Sequence, residues 1–166
     1  MTAAMTRTVN IALAGVGGQG TLLTSEVIAR AAMLAGLDVK KSEIHGMAQR
    51  GGSVVSQVRV GKTVYSPIIP DGQTDFLVSF EKLEALRYAD TLAPDGMALI
   101  STQTIVPVTV SSGQQPWVAD LDERIKRAFP KHRLLDAMGV AESLGNIRVA
   151  NMVLTGALST QFDVDA

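Results

Sequence analysis

The sequence predicts an α/β domain in three layers, with a mainly parallel sheet, helices on both faces and an antiparallel hairpin inserted into the sheet. Short β-rich apolar runs alternate with segments of helical spacing, which is the pattern of a sheet built from strand–helix units. The runs 76–80 and 97–101 are continuously apolar, as in strands that are covered on both faces. A chain of 166 residues, 46% of them hydrophobic, suffices for one core, so residues 1–166 are expected to form a single domain.

Each element rests on periodicity and on the residues that interrupt it. Gly36 ends the first helical pattern, Gly61-Lys62 is typical of a tight hairpin turn, and Pro94-Asp95-Gly96 predicts a turn before a buried strand. The predicted elements, in chain order, are strand 8–14, helix 21–35, strand 37–44, hairpin strands 53–60 and 63–65, strand 76–80, helix 81–92, strand 97–101, an extended segment 105–110, helix 119–129, strand 133–137, and helices 140–144 and 151–160.

Composition excludes several classes of function. A formal net charge of -1 and a pI near 6.1 provide no basic field for nucleic acid. The chain has no cysteine, so it can hold neither a disulfide nor a thiolate-ligated iron–sulfur cluster by itself, and neither of its two histidines has a second metal ligand at a suitable spacing. No apolar run approaches the length of a membrane span, and the polar start of the chain does not resemble a signal peptide, so a cytoplasmic location is expected.

The first motif with chemical content is the glycine loop, defined here as residues 15–20, which lies between a predicted strand and a predicted helix. Its sequence fits G-x-G-x-x-G, a pattern whose backbone N–H groups and following helix N-terminus suit a phosphate. Two other interpretations stay open: the glycines only allow close packing of strand and helix, or they bind a nicotinamide or flavin dinucleotide together with Glu43 on the second strand. The candidate binding residues are Gly15, Gly17, Gly18, Gln19, Gly20 and Thr21.

The second motif is the segment from Glu43 to Ser53, which concentrates a histidine, an amide, a guanidinium and paired glycines in one predicted loop. Such a loop can bind an anion or a partner protein, although a lone histidine is usually structural and a lone arginine usually solvated. His45 and Arg50 are the catalytic candidates, and the candidate binding residues are Gln49, Arg50, Gly51 and Gly52. If the two loops follow adjacent parallel strands, their carboxyl ends place them on one surface.

For a third segment, which is charged, we expect a solvated helix face and no site. Glu81, Lys82, Glu84 and Arg87 lie at spacings of three and four on a predicted helix, which favours ion pairs on a solvated face.

Taken together and in this order, five segments resemble the gamma domain of 2-oxoacid:ferredoxin oxidoreductases, and most closely the small (beta) subunit type of the indolepyruvate enzymes. The segments are Gly15 to Gly20, Glu43 to Ser53, Pro70 to Asp75, Glu81 to Arg87 and Asn151 to Ala157. The resemblance implies a cofactor-free subunit that is inactive alone. Large partner subunits would carry thiamine diphosphate, Mg²⁺ and [4Fe-4S] clusters, coenzyme A would accept the acyl group, and ferredoxin would accept the electrons.

Overall fold

The fold is described from a computed structural model, which covers residues 7–45 and 51–162; the side chain of His45 lies outside this description. A sheet of six strands forms its centre. The strands are β1 (Val9–Val16), β2 (Asp38–His45), β3 (Ser53–Gly61), β4 (Thr74–Ser79), β5 (Leu92–Ser101) and β6 (His132–Leu135). The helices are α1 (Thr21–Leu34), α2 (Lys82–Arg87), α3 (Val108–Ser111), α4 (Leu121–Ala128), α5 (Ala137–Ser143) and α6 (Ala150–Ser159).

The order of the strands is β2-β3-β1-β4-β5-β6. The pairs β1–β4, β4–β5 and β5–β6 are parallel, whereas β3 runs antiparallel to both β1 and β2. The predicted α/β class with a mainly parallel sheet and an antiparallel insertion is therefore confirmed. The predicted hairpin partner is wrong: β3 pairs with the preceding strand β2, and Thr63 to Tyr65 form no strand, because Gly61 ends β3 and the chain leaves the sheet there.

The alternating side chains of β1 show why helices cover both faces of the sheet. Ile11 and Leu13 belong to one core, which contains Ala32 of α1 and Leu154 of α6. Ala12 and Ala14 belong to a second core on the opposite face, where α2 and α4 contribute Ala85, Ile125 and Phe129. Successive residues of a strand point to opposite faces, so this one strand is buried from both sides, and the expected three layers are present.

Three local predictions in the second half of the chain are wrong. The Pro94-Asp95-Gly96 segment lies inside β5 and does not form a turn before it. The predicted extended segment 105–110 contains the short helix α3, which starts directly after Pro107, as suits a proline at a helix start. Helix α2 ends at Arg87 and is followed by a 3-10 turn, so it is shorter than the helix predicted over 81–92.

The strand directions place several chain segments at one end of the sheet. The carboxyl ends of the parallel strands β1, β4 and β5 lead into the glycine loop, into α2 and into the segment that contains Gln103. In sheets of this kind ligands bind beyond the carboxyl ends of the strands. Among the helices of the described ranges, none is long and apolar enough to cross a membrane.

Candidate functional site

The glycine loop joins β1 to α1, as predicted, and two of its glycines have backbone angles that favour glycine. Gly18 has a φ of 104° and Gly20 a φ of 87°, in the region that L side chains rarely adopt. Gly15 meets a different requirement, because a Cβ on it would lie 3.2 Å from the Cβ of Phe80 and 2.9 Å from the Oε1 of Gln19. The loop therefore needs glycine for backbone shape and for close packing.

Gln19 holds this loop in place through its side chain. Its Oε1 accepts a hydrogen bond from the Val16 N–H at 2.7 Å, and its Nε2 donates to the Phe80 carbonyl at 3.0 Å and to Oε1 of Gln103 at 2.9 Å. These bonds connect the loop to the ends of β4 and β5. Gln19 was predicted as a binding residue; in the structure it lines the cleft, and its amide makes three hydrogen bonds to the protein itself.

The end of the second motif lies directly against the glycine loop. The Gly17 N–H donates to the Gly52 carbonyl at 2.8 Å, and the Gly51 N–H approaches the Gly17 carbonyl at 3.5 Å. The predicted contiguity of the two loops is therefore seen for Gly51 and Gly52. The reason given for it was wrong, because β3 lies between β1 and β2 and runs antiparallel to both.

The structure describes only some of the residues predicted in the second motif. Gln49 and Arg50 lie outside the described residues, as does the side chain of His45. Of the predicted backbone donors, the Gly17 N–H is occupied by Gly52 and is not available to a ligand. Among the described residues of the two loops, the donors that remain for a ligand lie on the other side of the glycine loop, beside α1.

The amino end of α1 offers such donors. Among the residues that the structure describes, no side chain caps this 14-residue helix. The Thr24 N–H donates to the Gly20 carbonyl at 3.0 Å, which leaves the N–H groups before it without a helical partner. Thr21, the first residue of the helix, is buried. The N–H groups of a first helical turn carry partial positive charge and favour an anion.

A cleft of about 450 Å³ opens in front of this helix end, between the glycine loop and the chain that enters α6. Its walls are lined by Gly18, Gln19, Gly20, Leu23, Phe80, Ser101, Gln103, Ala137, Met138, Ile147, Arg148, Ala150, Asn151 and Leu154.

Two of these residues add donors to the cleft that the sequence analysis did not assign to a site. Asn151 is 5% exposed, its Oδ1 accepts from the Met152 N–H, and its Nδ2 has no acceptor within residues 7–45 and 51–162. That Nδ2 lies 2.5 Å from where a Cβ on Gly20 would be. Arg148 is exposed, and its guanidinium makes no ion pair with the part of the chain that the structure describes.

The electrostatics of the cleft follow from these groups. A helix N-terminus, a buried amide donor and a guanidinium all favour a negatively charged guest, and an arginine suits the geometry of phosphate in particular. The signal for Asn151 was present in the sequence, since it begins one of the segments that carry the family resemblance. Arg148 stands three residues earlier, and only the fold turns it toward the glycine loop.

The expectation of a solvated charged face on α2 is wrong for its two glutamates. Glu81 is fully buried and Glu84 is 4% exposed. Glu81 begins the helix by accepting the Glu84 N–H at 2.8 Å, and it also accepts the Ile105 N–H at 3.1 Å. Burial away from water raises the pKa of the Glu81 carboxyl above its usual range, and the neighbouring Glu84 raises it further.

Glu43 does not stand where a dinucleotide-binding domain needs its acidic residue. It lies on the edge strand β2 and pairs with Lys41 at 3.1 Å. A dinucleotide-binding sheet places the acid-bearing second strand parallel to the first and next to it, whereas here an antiparallel strand separates them. The topology therefore argues against the dinucleotide interpretation.

The fold and the cleft define a mixed-sheet α/β domain with an anion-suited pocket at the carboxyl ends of its parallel strands. Residues 10–166 match the family model described as pyruvate ferredoxin/flavodoxin oxidoreductase. The chain belongs to that family, which confirms the resemblance stated from the sequence.

Individual relatives agree with this assignment. The chain is similar to the indolepyruvate oxidoreductase subunit IorB of Archaeoglobus fulgidus, with 43% identity over 90% of this chain and 75% of that protein. It is 41% identical to the subunit of the same name from Thermococcus kodakarensis, over 90% of this chain and 76% of the relative. The 2-oxoglutarate synthase subunit KorC of Methanothermobacter thermautotrophicus is more distant, at 30% identity over 90% of this chain and 74% of that protein.

Two solved structures share the fold. One is a pyruvate oxidoreductase subunit from Thermotoga maritima, with a TM-score of 0.66 and 22% identity over 92% of this chain and 75% of that chain. The other is the 2-oxoglutarate:ferredoxin oxidoreductase of Magnetococcus marinus with 2-oxoglutarate, coenzyme A and succinyl-CoA bound. Its TM-score is 0.72 at 21% identity, and the match covers 96% of this chain but 25% of that one.

Proposed function

We propose that this chain is the small subunit of a cytoplasmic 2-oxoacid:ferredoxin oxidoreductase that acts on an aryl 2-oxoacid such as indolepyruvate. Family membership and the two relatives above 40% identity, both subunits of indolepyruvate oxidoreductases, support the proposal. The reaction would be oxidative decarboxylation of the 2-oxoacid to an acyl-CoA, with the two electrons passing to ferredoxin.

The cofactors of this reaction are assigned to partner subunits. A [4Fe-4S] cluster needs cysteine thiolates, and the sequence contains none. Thiamine diphosphate, Mg²⁺ and the clusters would supply the decarboxylation and electron-transfer chemistry from those partners. The isolated chain is therefore expected to have no oxidoreductase activity and no visible chromophore, which an absorption spectrum and a ferredoxin-reduction assay on the purified chain would check.

The contribution of this chain would be to bind coenzyme A through its phosphate groups in the cleft beside α1. The observation that carries this assignment is the side chain of Asn151, a residue that is 5% exposed, whose Nδ2 lies beside Gly20 at the start of α1 and has no acceptor among the described residues. A phosphate oxygen would accept from that amide and from the helix N–H groups, while Arg148 would neutralise its charge. Coenzyme A is also bound in the enzyme from Magnetococcus marinus that contains this fold.

The mouth of the cleft is suited to contact with a partner subunit. Leu23 in the first turn of α1 is 55% exposed, and Ile147 on the opposite wall is 56% exposed. Large exposed apolar side chains at the rim of a cleft that contains hydrogen-bond donors are typical of a surface that another protein covers. This arrangement would place the bound coenzyme A at the junction between this chain and the subunit that carries the reacting acyl group.

The decisive experiment measures the KM for coenzyme A in the complex reconstituted with Arg148→Ala. We expect an increase of about tenfold, the equivalent of ~1.4 kcal/mol, because a charge-assisted contact to phosphate is lost. Arg127→Ala is the matched control, since Arg127 is an exposed arginine of α4, which packs on the opposite face of the sheet. An unchanged KM in Arg148→Ala would mean that the cleft does not receive coenzyme A.

A second pair of variants tests the glycine loop itself. A Cβ on Gly18 would meet no atom of the described residues within 4 Å, and the same is true of Gly36 at the far end of α1; both residues have positive φ. Gly18→Leu and Gly36→Leu should therefore cause comparable backbone strain, but only the first places a side chain in the cleft. We expect Gly18→Leu alone to raise the KM for coenzyme A, and equal kinetics for the two variants would contradict the site.

A further inference from the structure

A buried carboxylate lies beside the junction of the two loops without lining the cleft. Glu84 of α2 is 4% exposed, and its Oε2 accepts the hydroxyl proton of Ser53 at 2.5 Å. Ser53 is the first residue of β3 and follows Gly51 and Gly52 directly. A side chain on one helix thus fixes the point where the second motif re-enters the sheet.

The direction of the hydrogen bonds in this cluster follows from the number of protons. The Ser53 hydroxyl has one proton, and it donates that proton in its hydrogen bond to the Glu84 carboxylate. The Tyr88 hydroxyl lies 3.1 Å from the same Ser53 oxygen, so Tyr88 must be the donor of that pair. The chain of donors therefore runs from Tyr88 to Ser53 to Glu84, and Arg87 adds a donor to the other Glu84 oxygen at 3.2 Å.

Ser53 is tied to the glycine loop on its other side. It stands opposite Val16 in the register of β1 and β3, and the adjoining Gly52 accepts the Gly17 N–H at 2.8 Å. Movement of Ser53 would therefore shift Gly52 and, through Gly17, the wall of the cleft that Gly18 forms. The Gly17 N–H is a direct reporter of this linkage, because its bond to Gly52 protects it from exchange with solvent.

We propose that Glu84 is a positioning residue for the coenzyme A site, which acts through the Ser53 hydroxyl to hold Gly51 and Gly52 against the glycine loop. The inference rests on the proposed function of the cleft. A buried carboxylate stabilises a fold poorly, because removing its charge from water costs about as much as its partners return. The position of the Glu84 carboxylate is instead explained by its hydrogen bond to the Ser53 hydroxyl. Holding that hydroxyl fixes the distance between the second motif and the glycine loop.

The experiment uses the assembled complex with Ser53→Ala, which removes the hydroxyl and leaves the strand, and with Ser53→Thr, which keeps a hydroxyl. Ser159→Ala is the matched control, because the Ser159 hydroxyl donates within its own helix, to the Gly156 carbonyl at 2.7 Å, and Ser159 does not line the cleft among the described residues. Two quantities are measured: hydrogen exchange of the peptides that contain Gly17 and Gly51, and the kcat and KM for coenzyme A. Glu84→Gln is added because its remaining carbonyl oxygen can still accept from Ser53, although without the charge.

For Ser53→Ala we expect exchange of the Gly17 peptide to quicken by about tenfold and the KM for coenzyme A to rise severalfold, with kcat changing less than twofold. Ser53→Thr should restore both, and Glu84→Gln should lie between the wild-type protein and Ser53→Ala. Unchanged exchange in Ser53→Ala would overturn the proposal. So would faster exchange with an unchanged KM, because the link between the two loops would then not serve the site.

The two proposals fail in different ways. If Arg148→Ala raises the KM while Ser53→Ala does not, the coenzyme A site stands and the positioning role falls. If neither raises the KM, the site assignment itself is wrong.

Discussion

Gly20→Ala separates two costs that the structure assigns to one position. Gly20 has a φ of 87°, and an alanine there would pay roughly 1–2 kcal/mol for the left-handed backbone. Its new Cβ would also lie 2.5 Å from the Nδ2 of Asn151, a distance that forces one group to move. Since Asn151 is only 5% exposed and packs at the start of α6, we expect a further ~1–3 kcal/mol from overpacking.

The assay is urea denaturation of the purified chain, with Gly36→Ala as the control. Gly36 has a φ of 78° and open space around a Cβ, so its substitution carries the backbone cost alone. Gly20→Ala should therefore be the more destabilised by ~1–3 kcal/mol, and Asn151→Ala in the same chain should recover most of that difference, as a double-mutant cycle would reveal. Equal destabilisation in the two glycine variants would refute the close approach of Asn151 to the glycine loop.

Three further predictions concern Gln19, Glu81 and Glu26, which are not among the groups proposed to bind coenzyme A. Gln19→Glu should destabilise the chain by ~2–3 kcal/mol in the same assay, because a carboxylate oxygen would replace the Nε2 that donates to two oxygen acceptors. Because burial raises the pKa of Glu81, its contribution to stability is complete below the ordinary value of 4.5 and is lost as the pH rises through the raised value. Glu81→Gln should remove that decline, and unfolding free energies measured at increasing pH would check it. Hydrogen bonds from Lys41 and then Arg30 lower the pKa of Glu26 to about 2; an NMR titration should find that Lys41→Met raises it more than Arg30→Ala, and the reverse order would contradict that ranking.

The sequence was sufficient for the elements that local patterns specify. The glycines of the loop, the helical spacing after Thr21 and the apolar run at 76–80 each predicted an element that the structure contains. The neighbours of β3 were not predictable in this way. The alternation of residues 53–60 identifies a strand but contains no information on which strand lies beside it, since pairing depends on packing across the whole sheet.

The prediction of a solvated face for the charged segment of α2 was wrong for a related reason. Spacings of three and four describe contacts within one helix, and on that basis Glu84 was expected to form a surface ion pair with Arg87. That pair exists at 3.2 Å, yet Glu84 is buried because its other oxygen binds Ser53, which is 31 residues away in the chain. Local spacing identifies a helix face but does not show what packs against that face.

In the glycine loop too, a local pattern predicted the motif but not its contacts with distant residues. Those contacts determine from which side a ligand can approach. The G-x-G-x-x-G pattern of the loop predicted backbone donors for a phosphate, but the Gly17 N–H is bonded to Gly52 and the Gln19 amide is bonded to three groups of the protein. These commitments close the side of the loop that faces β3 and β4. Within residues 7–45 and 51–162, the free donors lie on the side that faces α6, at the start of α1 and on Asn151. Among the described residues, the free donors therefore favour an anion that approaches from the α6 side, and the residue expected to select its charge is Arg148 at the entrance to that helix.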